Sequence, residues 1–218
     1  MLDVGVGAGR TAYFFANLTK EYVGIDYSEK MIKTCQQKFR NYSTKVLFKV
    51  CDARSLEFFD DHYFDFVLFS YNGIDYMNHE DRLRTLREIQ RITASCGYFC
   101  FSTHNLNYAW KLFNFNQSRN PLGFLSEARR FILLRLRNKD VLKKLRNRRY
   151  AILNDGAHNF RLRTYYIKPK EQIEQLADLG FTNIRLYGLF DGKEIKPPFM
   201  FDCIMDPWVY YLCTARKK

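Results

Sequence analysis

The sequence predicts an α/β fold built on an open, doubly wound sheet, and three observations carry that expectation. First, a short apolar strand, Leu2-Asp3-Val4, runs straight into Gly5, Gly7 and Gly9 and then into a helix-like segment from Arg10 to Leu18. Second, short apolar strands alternate with amphipathic helical stretches as far as Thr103. Third, an aspartate sits at or beside the carboxyl end of each of the first three strands: Asp3, Asp26 and Asp52. Glycines so spaced lack the Cβ atoms that would hold a ligand off, and the N–H groups of the following helix then face that ligand. Ligands of open α/β sheets bind outside the carboxyl ends of the strands, where these residues fall.

The elements follow in order. Tyr22 to Ile25 reads as the second strand, ending at Asp26. Ser28 is placed to cap a helix through about Arg40, with Met31, Ile32, Cys35 and Phe39 on its inner face. Lys45 to Val50 and Phe64 to Phe69 are the third and fourth strands, the latter running into Ser70-Tyr71-Asn72-Gly73. Asn78 caps a helix through Ile92 that turns Leu83, Leu86 and Ile89 inward. Gly97 to Thr103 alternates as a fifth strand. Pro169 starts a helix that Gly180 ends, and Asn183 to Tyr187 and Trp208 to Thr214 are the last strands.

LDVGVGAGR, VGIDYSEKMI, VCDARSLEF and FDFVLFSYNGIDYM, in this order, resemble the motifs of class I S-adenosylmethionine-dependent methyltransferases. The resemblance covers Met1 to about Thr103 and resumes at Ile167. It implies a Rossmann-like, seven-stranded sheet whose last strand is antiparallel. It divides the chain into a cofactor-binding part (1–103), an inserted helical and β cap (104–166) and a closing helix and hairpin (167–218). It implies S-adenosylmethionine as cofactor and S-adenosylhomocysteine as product. Carried over by position, Gly5, Val6, Gly7 and Gly9 line the methionine part, and Asp3 orients its amino group. Asp26 takes the ribose, Tyr27 and Met31 flank the adenine, and Asp52 and the Ala53 N–H meet its edge. Ser70 and Tyr71 lie below the sulfonium. Taken singly, a glycine cluster can be a mere turn and a strand-ending aspartate only a helix cap; together, all these positions fall on one edge of the expected sheet, which favours the cofactor. NAD is the weaker alternative, because its fingerprint wants glycine at Arg10 and has no use for Asp52.

The 218 residues suffice for one substantial core, rich in aromatics with 20 Phe and 15 Tyr. Six cysteines form no CxxC pair and no metal-ligand spacing, which fits free buried thiols in a reducing compartment. With no membrane-spanning run and no secretory signal, the expectation is a soluble, cytoplasmic protein. Met1 opens directly on the first strand, whereas the family usually has a helix before it, so a truncated chain is expected.

The insert from His104 to about Tyr166 is the expected substrate cap. From Arg119 to Tyr150 it holds eleven Lys/Arg against Glu127 and Asp140, most of the chain's formal charge of +12. Leu125, Ala128, Phe131, Ile132 and Leu136 keep helical spacing, as do Leu134, Val141 and Leu145. Such a segment is either a solvated basic face on a packed lid or a surface for anions, RNA or an anionic membrane. No RNA-binding module is recognisable.

Ser70-Tyr71-Asn72-Gly73 stands where base-amine methyltransferases carry a Pro-Pro-aromatic turn, and no loop cysteine suits pyrimidine C5 chemistry. Methyl transfer to oxygen or nitrogen of a small acceptor, including phosphorylated or otherwise anionic ones, therefore leads. RNA methylation and a non-catalytic cofactor-binding relative are the alternatives. An acceptor must lose a proton, and His104, at the end of the fifth strand, is the first candidate base. The competing reading is that His104 only bonds the Asn105 turn. Asp75 and Tyr76 come next. Asn72, Tyr108, His158 and Tyr165 are the candidate substrate contacts. His62 and His79 read as surface residues, and Tyr108, Trp110 and Phe113 as packing for the cap.

Overall fold

The computed structural model describes residues 1–42, 45–116, 120–196 and 201–216. Arg119, the first cation of the basic run, lies outside the described residues. The N-terminal half alternates β1 (Leu2–Val4), α1 (Ala12–Phe15), β2 (Glu21–Asp26), α2 (Glu29–Lys38), β3 (Lys45–Val50), β4 (Phe64–Phe69), α3 (His79–Ile92) and β5 (Thr93–Asn105). Then come α4 (Pro121–Arg137), α5 (Lys139–Leu142), β6 (Tyr150–Leu153), the single turn α6 (Ala157–Phe160), β7 (Thr164–Ile167), α7 (Pro169–Asp178), β8 (Phe181–Tyr187), β9 (Glu194–Ile195) and β10 (Trp208–Ala215).

The sheet runs β3-β2-β1-β4-β5-β10-β8-β9, with β10 antiparallel to both β5 and β8. The first seven of these are the expected sheet; β9 at its edge and β6–β7 bring it to ten strands. Strand order reverses between β1 and β4, which opens a crevice at their carboxyl ends. Helices cover both faces. Val23, Ile25, Val67 and Phe99 pack toward α3 and α7, while Tyr22 and Phe48 pack toward α1 and α2.

β5 has 13 residues against six in β4, so it outruns its neighbour. Pairing with β4 stops at Phe69↔Phe101, and β7 takes over that edge at His104↔Tyr166 and Asn105↔Ile167. A long unpaired edge exposes N–H and C=O groups, and β7 with its antiparallel partner β6 removes that liability here. The insert is thus joined to the sheet by strand pairing. It also has its own core of Leu106, Phe113, Leu134, Leu145, Leu153 and Tyr166.

Several local expectations change. The helix expected over Arg10–Leu18 shrinks to α1, and the hydroxyl of Thr11 at its N-cap donates to Asp3 rather than to the helix. Ser28 makes no side-chain cap, and Asp26 Oδ1 accepts the Ser28 N–H at 2.8 Å in its place. Asn78 does cap α3, accepting from Asp81 N at 2.8 Å. In α4 the apolar residues divide between faces: Leu134 is buried and Phe131 half-buried, whereas Leu125, Ile132 and Leu136 point outward. All six cysteines are free, yet Cys96 and Cys203 are exposed rather than buried.

Candidate active site

The crevice starts at the glycine turn. Gly5, Gly7 and Gly9 have φ of +69°, +54° and +83°, a conformation that resists side chains. Their surroundings differ. A Cβ on Gly9 would lie 2.6 Å from the Phe39 ring, and one on Gly5 3.1 Å from Phe69. A Cβ on Gly7 would meet nothing within 4 Å. Gly5 and Gly9 therefore serve packing, and Gly7 leaves a recess. Val6 is buried among the α1–α2 core residues, so its side chain is no cofactor contact. Its N–H bonds Ile25 O and its carbonyl accepts from Gly9, which fixes the turn.

Asp26 holds this turn from β2: Oδ2 accepts the Gly7 N–H at 2.9 Å while Oδ1 takes Ser28. Two backbone donors lock the carboxylate and leave each oxygen further lone-pair capacity. Tyr27 is 84% exposed and Met31 39%, so both offer apolar surface beside it. Asp3 is fully buried and accepts hydrogen bonds from Thr11 and Tyr22 on Oδ2, while Oδ1 has no partner. Burial pushes its carboxyl up to about 6 against the opposing effect of those two hydrogen bonds. An orphaned, buried carboxylate oxygen is expensive unless a donor or cation reaches it.

Asp52 is occupied more fully. Arg54 grips both its oxygens, the closest contact being 2.6 Å, and reaches Asp81 at 3.0 Å. The Arg54 hydrogen bonds hold the Asp52 carboxyl below its ordinary range. A base edge meeting Asp52 must share it with Arg54 or displace it. Ala53 is buried beside it in the α3–α7 core.

Across the crevice, Ser70 is half-buried, and Tyr71 and Asn72 are both left-handed, with φ of +57° and +56°. Two such residues in succession store strain of about 1–3 kcal/mol each. The Ser102 hydroxyl holds the turn by accepting the Asn72 N–H at 3.0 Å. Tyr71 is exposed, with the Arg10 guanidinium 4.3 Å over its ring. Asn72 is buried, and its Oδ1 has no partner.

His104 faces this turn. Its Nδ1 lies 2.8 Å from Asp75 Oδ2, and its backbone N–H donates to the same oxygen at 2.7 Å. The buried carboxylate accepts from Nδ1–H, which leaves Nε2 as the acceptor on the crevice side, where only the long contact from the Asn72 amide NH2 engages it. Nε2 is 3.5 Å from Asn72 Nδ2, with the Tyr166 and Trp208 rings 4.9 and 6.0 Å from the imidazole. The imidazole thus bonds Asp75 rather than the Asn105 turn; Asn105 bonds the carbonyls of Ile204 and Asp206 instead.

Asp75 is no free base. Its Oδ1 takes Arg82 Nη1 and the Thr103 hydroxyl, each at 2.6 Å, and both partners are buried. Arg82 also donates to Gln172 at 2.6 Å and Thr103 at 3.1 Å. Sequence reasoning missed Arg82, although it stands four residues before Leu86 and seven before Ile89, on the inner face of α3.

The other candidates separate. Tyr76 is exposed beside the exposed His158, ring centroids 6.4 Å apart, with its hydroxyl held above the ordinary range by burial and by Asp155. Tyr108 is half-buried, with Lys111 over its ring. Tyr165 is fully buried and bonds His79 at 2.8 Å, so no substrate reaches it. His79 is not a surface residue: half-buried, it stacks on Tyr150 at 4.1 Å, and burial lowers its imidazole. His62 is half-buried too, bonded to the Thr93 carbonyl.

Residues 1–97 match the family model of a methyltransferase domain. The fold is shared over the full chain with an S-adenosylmethionine-dependent methyltransferase of Methanosarcina mazei, at 20% identity and a TM-score of 0.65, covering 92% of that chain. A second such structure, from Clostridium acetobutylicum, is 13% identical over 99% of this chain and 83% of its own, with a TM-score of 0.65. Residues 1–97 thus resemble a methyltransferase domain, and the fold is that of S-adenosylmethionine-dependent methyltransferases of known structure. The crevice fits the S-adenosylmethionine of those neighbours: the open recess at Gly7 and the orphaned Asp3 oxygen suit a methionine part bearing an ammonium. The Bacillus subtilis protein YqeM, described as a methyltransferase, is 30% identical over 106 residues, which is 48% of this chain and 42% of YqeM. YcgJ of the same organism, also described as a methyltransferase, is 30% identical over 105 residues, covering 40% of its length. The chain thus spans about two fifths of these curated relatives. Among the described residues no helix is long and apolar enough to cross a membrane.

Proposed function

We propose that this chain catalyses methyl transfer from S-adenosylmethionine to an oxygen or nitrogen of a small acceptor, with His104 as general base. The observation that carries the reading is the Asp75–His104 pair at the crevice, 2.8 Å apart, with the other imidazole nitrogen in only a long, 3.5 Å contact with the Asn72 amide, which an acceptor hydroxyl or amine can displace. The cofactor, when bound, supplies an activated methyl carbon on sulfur. Gly7, Asp26 and Asp3 bind and orient its amino acid and ribose ends. Asp75, held by Arg82 and Thr103, keeps the imidazole in one tautomer. His104 Nε2 takes the proton from the acceptor's hydroxyl or ammonium as transfer proceeds. Asn72 Oδ1, buried and unpartnered, accepts a hydrogen bond from the acceptor and aligns it. Trp208, Tyr166 and the insert at 104–166 exclude water from the acceptor side.

The charges near His104 refine the acceptor. Asp75 is paired with Arg82, and Arg10, over the Tyr71 ring, is a cation beside the crevice turns. A phosphorylated or carboxylated acceptor places its anion at Arg10; a neutral phenol or amine leaves Arg10 to the cofactor carboxylate. RNA methylation is the second reading, carried by the basic insert. It requires RNA binding whose salt dependence weakens when Arg146, Arg148 and Arg149 are neutralised.

The test is acceptor-dependent formation of S-adenosylhomocysteine across hydroxyl and amine acceptors, phosphorylated ones included, for the native chain and His104→Ala. The proposal expects unchanged cofactor affinity and turnover reduced by about two to four orders of magnitude, the usual range for a positioned base. Unchanged turnover in His104→Ala would remove the base.

A further inference from the structure

α4 carries an apolar ridge that the rest of the protein does not cover. Leu122, Leu125, Ile132 and Leu136 are 78%, 69%, 54% and 62% exposed along one side of the helix, with Arg129 between them. The opposite side is firmly seated. Leu134 is buried, Arg130 and Arg135 donate to the Leu112 and Phe113 carbonyls at 3.1 and 3.2 Å, and Asn138 bonds the Asn154 carbonyl at 2.8 Å. The helix therefore cannot rotate its leucines inward without breaking those anchors. An apolar stripe held outward in this way marks a surface that meets something.

The surrounding charge identifies the occupant. Residues 121–150 hold ten Lys/Arg. Arg130 pairs with Glu127, and Arg149 with Glu171 and Glu174. Among the described residues the other cations of this stretch, including Lys139, Lys143 and Lys144 just past the ridge, form no ion pair. A second copy of this chain would bring two unneutralised basic segments face to face. A nucleic-acid backbone would neutralise the cations but leave the leucines in water. An anionic bilayer surface satisfies both, taking the leucines into the acyl boundary and the cations among its headgroups.

We infer that α4 is a monotopic docking helix for anionic lipid surfaces, inserting Leu122, Leu125, Ile132 and Leu136 while Arg129 and the lysines after it contact headgroups. Arg137, in the last turn of α4, donates to the Phe160 carbonyl at 2.6 Å, two residues from His158.

Vesicle co-sedimentation of the full chain tests this, using phosphatidylcholine vesicles with and without phosphatidylserine, at low and high salt. One variant combines Leu125→Asp with Ile132→Asp; another replaces Lys139, Lys143 and Lys144 by Gln. All five positions are exposed, so folding is retained, and circular dichroism confirms it. Binding should require phosphatidylserine, weaken with salt, and fall by at least about tenfold in each variant. No binding of the native chain to phosphatidylserine vesicles overturns the proposal, as does binding that survives Leu125→Asp/Ile132→Asp. A native dimer that this pair converts to monomer without any vesicle binding assigns the ridge to self-association. RNA binding without vesicle binding assigns the segment to nucleic acid.

Discussion

Replacing Asp3 by Asn should make the fold more stable and the cofactor site worse. The native carboxyl sits near 6, against an ordinary 3.8, chiefly because burial disfavours its charge. Between those values the native state holds a proton that the unfolded chain has released. Stability contributed by Asp3 is therefore present below about pH 4, falls as pH rises, and is fully lost above about pH 6. The gap corresponds to about 3 kcal/mol at neutral pH, at 1.36 kcal/mol per unit. An amide at this position escapes that dependence, and its oxygen still accepts from Thr11 and Tyr22. Its NH2 then occupies the place of the unpartnered Oδ1, at a cost of about 1–2 kcal/mol. The net expectation for Asp3→Asn is a gain of about 1–2 kcal/mol above pH 7 that becomes a loss near pH 4. Urea unfolding of both proteins from pH 4 to 8 reads this directly. Native-chain affinity for S-adenosylmethionine should rise with pH through about 6 as the carboxylate becomes available to the ammonium. A stability difference that is the same at pH 4.5 and pH 8 refutes the assignment of strain to the buried charge.

The glycine turn gives a paired prediction. Gly9→Ala drives a Cβ into Phe39 and should destabilise the fold by about 2–4 kcal/mol, strain included, in urea melts. Gly7→Ala meets open space, so it should cost only about 1–2 kcal/mol of stability while abolishing calorimetric cofactor binding. The reverse ranking would contradict the roles given to them. Arg82→Met leaves Asp75 buried with its main cation removed and should destabilise by about 3–5 kcal/mol; a loss under about 1 kcal/mol in the same assay would show that the pair is not buried as described.

The positions of the candidate cofactor residues in the fold were legible because most of them end a strand or make a turn, and sequence patterning marks both. Asp26 is an example: its position at the end of β2 fixed its place regardless of side-chain detail. The direction of the Val6 side chain was not legible, because backbone geometry, invisible in the sequence, sends it to the α1–α2 core. The Asp75–His104–Arg82 cluster joins three separate elements, so spacing along the chain could not assemble it. Tyr165 was equally illegible, because β7 runs through the interior with all four residues buried. In α4 both sides of the helix are apolar, Phe131 and Leu134 on one and Leu125, Ile132 and Leu136 on the other. A period of 3.6 shows that such a segment is helical; it says nothing of which side the rest of the protein covers.

The central claim is a class I cofactor site in which Asp26 locks the glycine turn and receives the ribose. Calorimetric titration of the native chain and Asp26→Ala with S-adenosylmethionine, S-adenosylhomocysteine and NAD tests it most directly. The account predicts that the native chain binds both sulfur cofactors and not NAD, and that folded Asp26→Ala binds none of the three. Binding of NAD, or full affinity for S-adenosylmethionine in Asp26→Ala, would contradict it.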